Sequence, residues 1–121
     1  MKYKKIIAAL LTLSMLTACN SRPKYLSDEM YNYAESAIKA ADAYMDNQMS
    51  YEDAYLKLDG LRDHAEKLHG SSDNTTNNIA YYSISHLCTT LHLEHSGSYT
   101  YADLLEARND LAENIGYSER D

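Results

Sequence analysis

The sequence predicts an all-α fold, a small bundle of about four short antiparallel helices that follows an N-terminal signal helix. Three observations lead to this prediction. Apolar residues recur every three or four positions from residue 27 onward, helix-capping residues precede these stretches, and no stretch shows the strict alternation of a strand. The connections between the apolar stretches are short, which favours antiparallel neighbours.

Capping residues mark where the helices are expected to begin and end. Ser27 can cap the first helix, and Gly70 can end the second. The third helix has several candidate caps between residues 73 and 78, and it is expected to end before Ser96. Two further pairs have the spacing of a capping box and mark the second and fourth helices: Ser50 with Asp53, and Thr100 with Asp103.

The apolar spacing predicts which residues face the core of each helix. Gly60 lies inside the second helix, where glycine costs about 1 kcal/mol relative to alanine. The predicted core positions are Met30, Tyr33, Ala37, Ala41 and Tyr44; Ala54, Leu58, Leu61, Ala65 and Leu68; Ile79 or Ala80, Ile84, Leu87 and Leu91; and Leu104, Leu105, Leu111, Ala112 and Ile115.

The first eighteen residues have the pattern of an export signal. Lysines at positions 2, 4 and 5 precede an uncharged apolar run from Ile6 to Leu16, and small residues follow it. The run is shorter than the ~20 apolar residues that a membrane-spanning helix needs. We therefore expect a segment that directs export and is then removed.

Leu16-Thr17-Ala18-Cys19 resembles the lipobox of bacterial lipoproteins. The resemblance implies that a diacylglycerol is attached to Cys19 and that cleavage between Ala18 and Cys19 removes residues 1–18. Acyl chains such as palmitate would then anchor the mature chain to the extracytoplasmic face of the cell membrane, because two or more chains suffice for stable anchoring. The alternative is an ordinary signal peptide with a chance cysteine.

Lipidation at Cys19 divides the mature chain into a tether, residues 19–26, and a helical bundle domain, residues 27–121. Seven extended residues after the cysteine reach about 25 Å. The bundle is therefore expected close to the bilayer.

The mature chain is strongly acidic. The full chain has 11 Lys and Arg against 18 Asp and Glu, and loss of the three signal lysines leaves 8 basic residues and a net charge of −10. Such a charge argues against nucleic acid as a partner, since nucleic acid requires a basic face. It favours a cationic partner, although acidic composition also serves solubility alone.

Cys88 is the only thiol that remains once Cys19 is lipidated, so no disulfide can form within the mature chain. Its apolar surroundings in the sequence favour a buried structural cysteine. A reactive thiol is the alternative interpretation.

Histidines of the third helix are the candidate metal ligands. His92 and His95 are three residues apart and share a helix face, and a third ligand could be His86, Glu94 or a residue from another helix. His86 is six residues before His92 and lies on a different part of the helix turn. No established metal-binding motif is present, so no metal or other cofactor is expected. Ordinary surface histidines are the alternative interpretation.

Tyrosine is the only large aromatic residue: there are 12 Tyr, with no Phe and no Trp. Tyr44, Tyr51 and Tyr55 are expected to gather around the first helical hairpin. Tyrosine is enriched in binding hot spots, so these three form a candidate partner-binding surface. The alternative is that tyrosine replaces phenylalanine as filler of a small core.

The hairpin from Tyr44 to Leu58 resembles one in small uncharacterised secreted helical proteins of Gram-positive bacteria, and this resemblance implies no activity. No nucleophile and base are placed together, so no enzyme is expected. The predicted function is a membrane-anchored interaction module that binds a protein or a cationic peptide, as in immunity or exclusion. The alternatives are a metal- or small-ligand-binding lipoprotein and an accessory subunit of an envelope complex.

Overall fold

A computed structural model describes residues 21–70 and 73–121. The predicted signal segment and Cys19 lie outside the described residues. The described residues form four α-helices: α1 Asp28–Met45, α2 Tyr51–Gly70, α3 Thr75–His95 and α4 Tyr101–Ile115. The described residues contain no strand, and the all-α prediction is confirmed. None of the helices in this part of the chain is long and apolar enough to cross a membrane.

The helices begin where the capping residues predict. The Ser27 hydroxyl accepts a hydrogen bond from the Met30 amide, which starts α1. The start of α3, open among residues 73–78 in the sequence, is fixed by Asn74, whose side chain accepts from the Asn77 amide. At α4, Thr100 forms the complete capping box with its acid three residues on.

A single apolar core lies between the four helices, and its buried members run from Leu26 to Ile115. The sequence left open whether Ile79 or Ala80 faces the core. Ala80 is buried and Ile79 is 48% exposed, so Ala80 is the core residue. Five predicted core residues are only partly buried and form its edge: Tyr33, Tyr44, Leu61, Leu68 and Leu105.

Helices α1 and α3 run parallel across the centre of the bundle. At one end, the Ser27 amide donates to the Asn77 side chain over 3.0 Å, and at the other end the Tyr44 hydroxyl donates to the Glu94 carboxylate over 2.7 Å. Each contact joins residues 50 positions apart. Helix α1 can approach α3 closely because its buried face consists mainly of alanines, while α2 and α4 hardly touch.

The second helical hairpin repeats the architecture of the first at an interval of 50 residues. Helices α1 and α3 end at Met45 and His95, and the turns that follow each contain one residue of positive φ, Asn47 and Gly97. Buried positions correspond as well: alanines of α1 match larger residues of α3, as Ala37 matches Leu87. Large side chains from α3 therefore fill the space that the small ones of α1 leave.

The segment before α1 lies on the bundle. Leu26 is buried, the guanidinium of Arg22 lies 4.5 Å from the centre of the Tyr31 ring, and the Asn74 side chain donates to the Tyr25 carbonyl. Ser21 lies beside Gly116 at the end of α4. Of the tether predicted for residues 19–26, the part from residue 21 onward is therefore docked against the domain and not extended.

An ionic network joins α1, α4 and the C-terminal segment. Arg108 is 4% exposed and bonds to both carboxylate oxygens of Asp42, at 2.9 and 3.0 Å. Arg120 contacts the same carboxylate and also Asp46, and its backbone is paired with the side chain of Asn109. The residues after α4 are thus held along the α1–α4 face.

Candidate functional site

The predicted group Tyr44, Tyr51 and Tyr55 comes together at the end of the bundle where α1 ends and α2 begins. The Tyr51 ring lies 6.4 Å from that of Tyr44 and 5.8 Å from that of Tyr55, measured between ring centres. Two residues of α3 join them: His95 stacks on Tyr51 with ring centres 3.8 Å apart, and His92 Nδ1 lies 2.7 Å from the Tyr51 hydroxyl oxygen. We call these five residues the tyrosine–histidine cluster.

Tyr51 is the centre of the cluster, because each of the other four members has a ring contact with it. Partial burial raises its pKa above the ordinary value, and the neighbouring Tyr55 adds to this effect. The hydroxyl therefore stays protonated at neutral pH and is available to hydrogen-bond the His92 ring.

Tyr44 closes the inner side of the cluster. Its hydroxyl donates to Glu94, and desolvation together with this carboxylate raises the pKa of Tyr44 to about 12. A cavity of about 440 Å³ opens between this pair and the two loops of this end of the bundle, and its wall includes Tyr51, His95 and Tyr101. The site is thus a concave aromatic surface with a carboxylate inside it.

The candidate metal ligands are not brought together. His92 and His95 contact Tyr51 on the α2 side of α3, whereas His86 lines a separate groove between α3 and α4. In the described ranges 21–70 and 73–121, no three His, Cys, Asp or Glu side chains are grouped so that they could hold a metal ion. The geometry supports ring stacking at His95 and hydrogen bonding at His92.

Cys88 is fully buried between the helices. Burial raises the pKa of its thiol, so little thiolate is available at neutral pH. This geometry matches the structural interpretation of Cys88.

The sequence interpretation missed two features. The first is the buried Arg108, which has a usable signal: it lies four residues after Leu104 and three before Leu111, on the same apolar stripe. The second is the pairing of Tyr51 with the histidines of α3, which has no signal in the spacing within either helix.

Comparisons of the chain with protein-family models, with curated proteins and with solved structures find no match. Function is therefore inferred from the residues and contacts described above.

Proposed function

We propose that this chain is a lipid-anchored, non-enzymatic binding module on the extracytoplasmic face of the cell membrane, which binds a partner protein through the tyrosine–histidine cluster. The single observation that carries the proposal is the position of this cluster. It lies at the end of the bundle opposite to Ser21, where the anchored segment enters.

The orientation follows from covalent reach. Cys19 is two residues before Ser21, so the backbone can carry its Cα atom at most about 7 Å from that of Ser21, which lies beside Gly116 at this end of the bundle. Helix α3 has 21 residues and is about 30 Å long. The cluster at its far end would therefore point away from the bilayer, toward an approaching partner.

The chemistry of the cluster suits protein recognition. Tyrosine rings offer apolar area together with a polar tip, and their few rotatable bonds lose little entropy on binding. Stacking on His95 and the contact with His92 already restrict Tyr51. A surface that is ordered before binding loses less entropy when the partner arrives.

Catalysis and metal binding have less support. Among the hydrogen bonds of the described residues, none pairs a serine or a cysteine with a histidine. The candidate ligands His86 and His92 lie on different sides of α3. A permanent place in an envelope complex would use the same surface, and the partner experiment below would reveal it as a stoichiometric product.

The anchor is tested by metabolic labelling with radioactive palmitate. The wild-type chain should incorporate label and remain with membranes, and Cys19→Ser should lose both properties. Cys88→Ser is the matched control and should keep both. Label that persists in Cys19→Ser would contradict the anchoring.

The binding surface is tested by photo-crosslinking in intact cells. A photoreactive phenylalanine analogue replaces His95 in the cluster or, as control, Leu56, which is exposed on α2. One discrete product is expected from position 95 alone, and Tyr51→Ala in the same chain should abolish it. Equal products from both positions, or none from position 95, would refute the assignment.

A further inference from the structure

A second surface lies on the other side of α3, in a groove of about 390 Å³ between α3 and α4. Its α3 wall carries Ile79 and Tyr82, which are 48% and 61% exposed. The floor of the groove includes the buried Ala107. It also includes Asn114 and Ser83, and the Asn114 side chain donates a hydrogen bond to the Ser83 hydroxyl over 2.7 Å. The apolar side chains of the α3 wall are thus exposed to solvent along a shallow groove.

The α4 rim of the same groove is acidic. Asp110 and Glu113 are exposed, and within the described part of the chain neither forms an ion pair. No lysine or arginine occurs between Lys67 and Arg108 in the sequence. Arg108 itself is buried against Asp42 and does not neutralise the rim.

We infer that this α3–α4 groove binds cationic amphipathic peptides, with an apolar peptide side chain against Ile79 and Tyr82 and peptide lysines or arginines against Asp110 and Glu113. The groove extends over eight residues of α3, from Ile79 to His86, which corresponds to about 10 Å or two helical turns. A short helical peptide with one apolar and one basic face fits both walls.

This inference goes beyond the proposed function, because it concerns a different surface, and it rests on the anchored orientation for its biological setting. Ile79 lies near the start of α3 and Asn114 near the end of α4, so the groove occupies the half of the bundle that the anchor would hold close to the bilayer. Cationic amphipathic peptides concentrate at anionic membrane surfaces. The groove would therefore meet them where they accumulate.

The test uses the chain from residue 19 onward with Cys19→Ser, which contains every buried apolar residue of the described ranges. The probe is a fluorescent 14-residue peptide, of about four helical turns, with leucines on one face and lysines on the other. Binding is followed by fluorescence anisotropy. A scrambled peptide of the same composition should bind more weakly, and added salt should weaken binding because the charged contacts are exposed.

The variants separate the groove from overall charge. Asp110→Asn with Glu113→Gln should weaken binding about 3- to 10-fold, as expected for two exposed ion pairs. The matched control is Asp63→Asn with Glu66→Gln on α2, which removes the same charges at the same spacing from another face and should leave the affinity unchanged. Ile79→Ser with Tyr82→Ser tests the apolar wall and should also weaken binding.

Three outcomes would overturn the inference: no binding of the amphipathic peptide, equal losses in the two charge variants, or equal affinity for the scrambled peptide. The last two would indicate attraction to the net charge alone. Circular dichroism checks that each variant is folded. The assay needs no lipid, and the labelling and crosslinking experiments need no peptide, so failure here is distinguishable from failure of the proposed function.

Discussion

Replacing Asp42 by alanine is expected to destabilise the bundle by about 3 kcal/mol, because the change leaves the buried guanidinium of Arg108 without its counter-charge. Breaking a buried ion pair by removing one partner typically costs about 3–5 kcal/mol. The lower end applies here, since Asp42 is 25% exposed and Arg108 keeps acceptors at Asn109 and Ser118.

The reverse change should cost less. Arg108→Met removes the charge and leaves an apolar side chain in the core, while Asp42 keeps Arg120 at 3.1 Å and remains partly in water. Hydrophobic replacement of a buried charge is often close to neutral, so a loss of about 1 kcal/mol is expected. Comparing the free-energy losses of the two variants therefore shows whether the unpaired buried charge or the lost contact area makes the larger contribution to stability at this site.

Urea denaturation gives the two free-energy changes and thermal denaturation gives the melting midpoints, both followed by far-ultraviolet circular dichroism. For a domain of this size, each 1 kcal/mol shifts the melting midpoint by about 4–8 °C, so Asp42→Ala should lower it by about 12–24 °C. The control is Lys39→Gln, which breaks an exposed pair with Glu35 and should leave the midpoint unchanged. The reasoning fails if Asp42→Ala costs less than about 0.5 kcal/mol, or if Arg108→Met costs as much.

Three further predictions follow from single positions. Gly116→Ala should destabilise the domain by about 1–2 kcal/mol, since φ is +73° and a Cβ atom there would lie 2.7 Å from the Ser21 carbonyl carbon. Gly60→Ala should stabilise it by about 0.5–1 kcal/mol, because no atom lies within 4 Å of the added Cβ atom. The two variants should therefore shift the urea midpoint in opposite directions. Cys88 should react with a disulfide reagent in the folded chain only as fast as the bundle opens, and fast labelling in native buffer would show that the thiol is accessible. The pKa of Tyr44 is raised from 10.0 to about 12, so its share of stability is complete below pH 10 and is lost as the pH approaches 12; Tyr44→Phe should flatten this decline in the unfolding midpoint.

The helices could be predicted because local signals and periodicity agree with the packing. Ser27 and Thr100 cap helices whose apolar stripes face one core. The internal repeat is harder to predict from the sequence, because corresponding positions are buried alike but carry different residue types: Ala37 corresponds to Leu87, and Leu58 to Arg108. Small residues of α1 correspond to larger residues of α3, so the two hairpins share a pattern of burial without sharing a sequence motif.

The candidate site could be predicted in part. The group of Tyr44, Tyr51 and Tyr55 follows from the first hairpin, where a short turn brings the ends of two helices together. Its completion by His92 and His95 depends on which side of that hairpin α3 packs, and apolar spacing does not distinguish the two arrangements of a four-helix bundle.

The internal repeat makes the α1–α4 face of the bundle correspond to the α2–α3 face, and the two faces differ in what covers them. On the α1–α4 face, Gly116 ends the last helix, and the following residues fold back and are held by Asp42, Asp46 and Arg108. On the corresponding α2–α3 face, α2 continues as helix to Gly70, and among the residues that the structure describes no segment after α2 folds back over the cluster around Tyr51. The repeat thus places corresponding faces on two sides of the bundle. In the described part of the chain, the C-terminal segment covers the α1–α4 face. The face without this cover carries the stacked aromatic rings on which the proposed function rests.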